Sequence, residues 1–422
     1  MRIALVAQHG SPLTPAPDAD TAAQTAAMTS LARALAGLGH RATIYARKDS
    51  RDLPSSAILA RGVTVEHLNA GPPAPLSEDK LTRHVREFGD KLARCWNRAR
   101  PDVAHAHSWT SGLAALAAAR ERDVRVAQSF GSLAVIEQRH RMPVAGGAAR
   151  IRLESCIARS ADAVLAATSA QESEFIRMGV PRAAVRVVPA GVDTERFSPD
   201  GPVAGRAERP RLLAVAPLDD RQGLDVLVRM LSGVPEAELV VAGGPPRTQL
   251  RNQKAYRTLM RLARSLRVHS RLSFTGEVSP ADLPALLRSA DLLVSAAPYD
   301  PHGVITLAAM ACGTPVAVPA VGGNRDAVLE EVTGLLVAPG RPGLLAQRVR
   351  RLLAEPMRLE AFGIAAADRA SARYSWDRIG RETAAAYEQC LPPVAAVAPA
   401  SEPEPEPELD LEAAGDLVAA LA

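Results

Sequence analysis

His105 and His107 stand two residues apart at the end of the apolar run Val103–His107, which reads as a β-strand. Sheets of the α/β type build their sites at the carboxyl ends of strands, and an imidazole placed there can move protons near neutral pH. A functional and a structural reading of the pair both stand at this stage. Asp300 precedes Pro301. It is a candidate functional carboxylate and, equally, the residue type that initiates a turn before proline. Asp18-Ala19-Asp20 has the spacing of two metal-binding acids, in a loop that follows Pro15-Ala16-Pro17. The four cysteines, Cys95, Cys156, Cys312 and Cys390, include no close pair. Neither a cysteine metal site nor a redox pair is expected, and a reducing cytoplasm fits that spacing.

The elements that must position these residues alternate between strand-like and helix-like runs, the signature of parallel α/β sheets. Early strands are expected at Arg2–Ala7, Ala42–Ala46 and Val63–Leu68, and further ones at Val103–His107, Val124–Phe130, Ala163–Ala167 and Val185–Pro189. A helix from about Thr21 to Leu38 places Leu31, Leu35 and Leu38 on one face and stops at Gly39. The segment Ser198–Arg209, rich in Pro, Gly and charge, reads as an interdomain linker. A second series follows at Leu212–Val215, Leu239–Gly243, Leu272–Thr275, Leu292–Ser295, Val316–Pro319 and Leu335–Ala338, with helices to about Leu391. The expected domains are residues 1–197, a linker 198–209, residues 210–374, a C-terminal helix 375–392 and a tail 393–422.

The chain has 422 residues, 47% apolar and 23% charged, which suits two packed domains rather than one. Aromatics are only 3%, so Leu, Val and Ala must fill the cores. The net charge is +4, but residues 401–422 hold seven acids and no base, which leaves +11 on the rest. A basic body can attract phosphates or an anionic membrane surface. The bases read as scattered among acids and no nucleic-acid motif accompanies them, so nucleic-acid binding is not expected. The apolar run Ile3–Ala7 is too short for a signal peptide, and no stretch approaches the ~20 apolar residues that span a membrane. The tail begins with Glu-Pro alternation over Ser401–Glu408, which should be extended and solvated. From Leu409 the apolar positions Leu411, Ala414, Leu417, Val418 and Leu421 recur at helical spacing. An acidic spacer ending in a short amphipathic helix is therefore expected, one that orders on a protein partner or on the basic body of its own chain; the alternative is a tail that only solubilises.

Five stretches, Arg2–Gln8, Pro101–Leu113, Val187–Pro199, Ser289–Val318 and Gly322–Gly340, resemble family-4 retaining glycosyltransferases of bacteria, the group that includes the inositol-phosphate glycosyltransferases of mycothiol synthesis. The most specific stretch is Tyr299–Val316, YDPHGVITLAAMACGTPV, which is similar to the family's donor-binding segment. The resemblance implies the GT-B fold, an α/β architecture of two Rossmann-like domains facing a cleft, with the last helix crossing back to the first domain. It implies transfer of a sugar from a UDP- or GDP-sugar with retained anomeric configuration, without metal and without a cofactor. In such a family an Arg, a Lys, a helix N-terminus and nearby glycines stabilise the leaving diphosphate.

Several of the positions that carry that chemistry are altered. The family Arg falls on Pro217 and the Lys on Gln222, with Arg221 beside it as a substitute cation and Asp219 and Asp220 adding negative charge. The first of two glutamates falls on Asp300, still a carboxylate, and the second on Ala308. The family His falls on Gly131, and a Gly-Gly pair that approaches the phosphates falls on Ala22-Ala23. His302 stands where the family has Phe, either as a local replacement or as a substitute catalytic His, and Cys312 packs in the helix that follows. Gly303 remains, with the helix start Val304, Ile305 and Thr306, whose free amides attract an anion. The expectation is a glycosyltransferase scaffold with donor-dependent activity weakened or lost. The rivals are an active enzyme with rebuilt contacts and a non-catalytic interaction protein.

Overall fold

The computed structural model describes residues 1–15, 19–120, 122–142, 144 and 146–391. Asp18 of the Asp18–Asp20 pair and the whole tail lie outside them. The chain divides into two units: Met1–Val188 together with the C-terminal segment from Ile379, and Pro189–Arg378.

The first unit is built on eight strands: β1 (Arg2–Ala7), β2 (Arg41–Arg47), β3 (Ser56–Ala60), β4 (Val63–Leu68), β5 (Val103–His107), β6 (Arg125–Ser129), β7 (Ala163–Ala166) and β8 (Val185–Val187). Their order in the sheet is β3-β4-β2-β1-β5-β6-β7-β8, all parallel except β3, which runs antiparallel to β4. The central strands are near-continuous apolar runs because helices cover both faces: Ile3 to Val6 are at most 1% exposed. β1 lies between β2 and β5, so successive connections leave it in opposite directions and open a crevice at its carboxyl end. The first helix, Ala19–Gly37, buries Met28, Leu31, Ala32 and Leu35. Leu38 does not join that face. It lies past the last helical residue and is 40% exposed.

The last helix, Trp376–Cys390, packs in this unit from Ile379 onward. Its Tyr387 is fully buried and its hydroxyl lies 2.7 Å from His105 Nδ1. Gly380 fits closely against Ala34, where a Cβ would come within 2.9 Å of the Ala34 methyl. Arg186 Nε donates to Gln389 Oε1 at 2.6 Å.

The second unit carries a wholly parallel sheet of six strands: β9 (Arg211–Val215), β10 (Glu238–Ala242), β11 (Leu272–Gly276), β12 (Leu292–Val294), β13 (Val316–Pro319) and β14 (Gly334–Val337), in the order β11-β10-β9-β12-β13-β14. Alternation along β9 sends Leu212 into one apolar core and Leu213 into the other. β9 is the switch strand, flanked by β10 and β12.

Two expectations change here. Ser198–Arg209 is no free tether. Arg288 donates to the Ser198 and Pro202 carbonyls, the Ala204 amide to the Ala285 carbonyl, and Arg206 pairs with Asp291. Satisfying its backbone groups on the neighbouring helix and strand end makes this segment part of the second unit. Nor are the bases scattered throughout. Residues 239–276 hold eight Lys or Arg and no acid, and four of them, Lys254, Arg257, Arg261 and Arg264, fall on one helix, Lys254–Ser265.

Candidate functional site

At the carboxyl edge of the second sheet, three connections converge: residues 216–223 after β9, 295–303 after β12 and 320–324 after β13. The last two fit backbone against backbone. The Gly323 amide donates to the Asp300 carbonyl at 3.0 Å. A Cβ on Gly322 would lie 1.9 Å from the Asp300 carbonyl oxygen, and one on Gly323 would lie 2.2 Å from the His302 carbonyl carbon. Only glycine permits that approach.

Within this turn the Asp300 carboxylate is already engaged. Its Oδ1 accepts from the Gly303 amide at 2.8 Å and from the His302 amide at 3.3 Å, the geometry of an aspartate closing its own turn. Gly303, at φ +64°, opens the helix Val304–Ala311 with no side-chain cap. Val304 is 42% exposed, Ile305 half-buried and Thr306 buried. The Thr306 hydroxyl donates to Asn324 Oδ1 at 2.6 Å. Ala308 is 4% exposed in the apolar core beside Leu307, Ala309 and Met310. Cys312 is buried there too, its thiol pushed up to about 11 by burial.

In the connection after β9, Pro217 and Arg221 are exposed and Gln222 is half-buried. The Arg221 guanidinium is paired with Asp219 at 3.1 Å, while the Arg221 amide donates to the other oxygen of the same carboxylate at 2.8 Å. The substitute cation is thus matched by its own neighbour.

The first unit has its own polar edge at the ends of β1, β5 and β6. His105 has both ring nitrogens in use, Nδ1 with Tyr387 and Nε2 with the Ser129 hydroxyl at 2.8 Å. The His107 ring lies 4.1 Å from it, and the buried His107 Nε2 has no hydrogen-bond partner among the described residues. Burial pushes His107 down to about 4; burial and then the charge of His107 hold His105 well below its ordinary value. Both imidazoles are neutral at pH 7. Ala22 and Ala23 are exposed on the first helix, and a Cβ on Gly131 would come 3.1 Å from Gln24 Nε2.

Two features escaped the sequence reading. Asn324 is fully buried beside Thr306 and its Nδ2 has no partner among the described residues. Its signal was the Gly322-Gly323 pair just before it. Arg150 forms a buried charge network, 2.7 Å from Glu154, 3.5 Å from Glu137 and 3.9 Å from Glu78, and Trp109 Nε1 also donates to Glu78. Burial pushes the Glu154 carboxyl up to about 7 against the pull of Arg150. The i,i+4 spacing of Arg150 and Glu154 was the only hint of this network.

The model of the glycosyl transferases group 1 family matches residues 202–369, and that of the glycosyl transferase 4-like domain matches residues 23–191. A D-inositol 3-phosphate glycosyltransferase of Catenulispora acidiphila is 32% identical, with 92% of this chain and 95% of that protein covered. The chain belongs to this glycosyltransferase family. A second D-inositol 3-phosphate glycosyltransferase, from Actinosynnema mirum, is 31% identical over 92% of this chain and 97% of that one. Among solved structures, sucrose-phosphate synthase from Thermosynechococcus elongatus aligns with a TM-score of 0.78 at 26% identity, covering 92% and 98% of the two chains. The Anabaena protein HepE, solved with UDP and glucose, aligns with a TM-score of 0.68 at 18% identity, covering 92% and 99%. The chain therefore has the GT-B fold. Among its described residues no helix is long and apolar enough to cross a membrane.

Proposed function

We propose that this member of the family is a nucleotide-sugar transferase scaffold whose donor-dependent transfer is weakened to the point of loss. One observation carries the reading: the two charged side chains expected to replace the family's donor contacts, Arg221 and Asp300, are engaged locally. Arg221 is held by Asp219, Asp300 closes its own turn, and Ala308 is buried among apolar side chains. The curated relatives are named as glycosyltransferases of inositol phosphate, and HepE was solved with UDP and glucose. A UDP- or GDP-sugar is the ligand class this scaffold would take. On this reading the diphosphate of such a donor would meet backbone amides at the start of Val304–Ala311, with Arg221 already held by Asp219.

Each charge-assisted hydrogen bond contributes roughly 1.5–3 kcal/mol. Two missing cations therefore remove about 3–6 kcal/mol, on the order of 10²–10⁴ in affinity, and at least as much from a transition state in which leaving-group charge grows. The tight glycine turn Gly322–Gly323 favours a second reading, an active enzyme that relies on Arg221, Asp300 and the helix start. The triple variant Pro217→Arg, Gln222→Lys, Ala308→Glu separates the two. On the proposed reading it gains nucleotide binding by about 10² or more. A folded triple variant that binds no nucleotide better than the parent contradicts the reading.

A further inference from the structure

One helix of the second unit lies in a run of 38 residues, 239–276, that holds eight bases and no acid. The helix Lys254–Ser265 turns Leu259 and Ala263 into the core and sets Tyr256 against Phe274. Its opposite face presents Lys254, Arg257, Arg261 and Arg264, all exposed, flanked by Arg251 and Arg267. None of these six forms an ion pair with a described residue. The arrangement opposes the helix itself. Cations three and four residues apart repel, and Lys254 sits at a helix start that has neither an acid in its first turn nor a side-chain cap. Nothing in the fold requires this, so the stripe asks for a polyanion.

We propose that the stripe is the docking surface for the acidic tail of the same chain, residues 402–416. The charges are opposite in sign and similar in number: the tail's seven acids stand against the six exposed bases of the stripe. Glu402, Glu404, Glu406 and Glu408 alternate with prolines, a pattern that keeps the segment extended and its carboxylates spread along and around the chain. The stripe offers charge alone. None of the exposed large apolar side chains lies between Val203 and Val304, so nothing on it would insert into a lipid surface. The 31 residues after Leu391 span at most ~100–110 Å when fully extended.

Lys254 makes the test direct, because the other three lysines, Lys48, Lys80 and Lys91, all lie in the first unit. The full chain is treated with a water-soluble carbodiimide, which joins carboxylates to amines in contact, and the monomer fraction is peptide-mapped. The expected product links Lys254 to a tail carboxylate in low salt and disappears near 1 M salt. It falls several-fold in the Glu402→Gln, Glu404→Gln, Glu406→Gln, Glu408→Gln variant. It falls several-fold in Arg257→Gln, Arg261→Gln, Arg264→Gln with the circular dichroism unchanged. A mixture of ¹⁴N and ¹⁵N chains yields only unmixed products. No Lys254–tail link in low salt, a link that survives 1 M salt, or mixed-isotope products overturns the proposal. So does vesicle binding: if phosphatidylcholine–phosphatidylserine vesicles bind the full chain as tightly as a chain lacking residues 393–422, the stripe belongs to a membrane.

Discussion

His107 shows how a residue can look catalytic in sequence and be set by packing in the fold. The sequence placed it with His105 at a strand end, and there it is. Tyr387, contributed 282 positions later, turns His105 into a structural hub, and no local pattern foretells that partner. The consequence is a pH dependence. The folded His107 titrates at about 4, whereas an unfolded histidine titrates near 6.5. Between those values the unfolded chain takes a proton that the folded chain refuses, so stability falls as pH drops from 6.5 towards 4. A loss of roughly 1–3 kcal/mol is expected, read as a falling melting temperature, and His107→Gln should flatten the slope. A parent protein equally stable at pH 7 and pH 5 would show this account of His107 to be wrong. Asp300 teaches the same lesson. Its place was legible, but whether its carboxylate faces a ligand or its own turn depends on the backbone at Gly303, which spacing does not reveal.

Elements were more legible than side chains. The buried parallel strands announce themselves as short Val/Leu/Ala runs, and the expected β1, β5 and β13 have the observed boundaries. β3 was missed because it is an exposed edge strand, Ser56–Ala60, in which Ile58 is 84% exposed. Its pairing with β4 supplies the structure that its own pattern lacks. The charged Pro/Gly-rich segment 198–209 looked like a tether because its partners, Arg288 and Asp291, are distant in sequence. Glycines within the connections give a sharper test. Gly223 has φ +63°, and a Cβ there would lie 2.2 Å from the Ala296 carbonyl oxygen, whereas Gly205 has nothing within 4 Å. Gly223→Ala should cost more than about 2 kcal/mol in denaturant melts, and Gly205→Ala should stay within about 0.5 kcal/mol. Equal effects would mean that the connection after β9 is not held against β12 as described.

At the scale of the whole chain, two Rossmann-like units were legible from alternation and from five ordered motifs, and family membership now rests on matches across both units. Net charge was the misleading quantity, since +4 hides an acidic tail and a basic stripe. Deleting residues 393–422 should leave the melting temperature within about 2 °C, because a stretch of alternating Glu and Pro followed by a short amphipathic run offers little apolar side chain to a core. A large drop would make the tail part of the fold. The proposed loss of donor binding rests on the edge where Arg221 and Asp300 are engaged by their own neighbours. Titration calorimetry of the full chain with UDP-, GDP- and ADP-sugars measures it. The account predicts dissociation constants above about 1 mM for all three, and a micromolar constant for any one of them would contradict it.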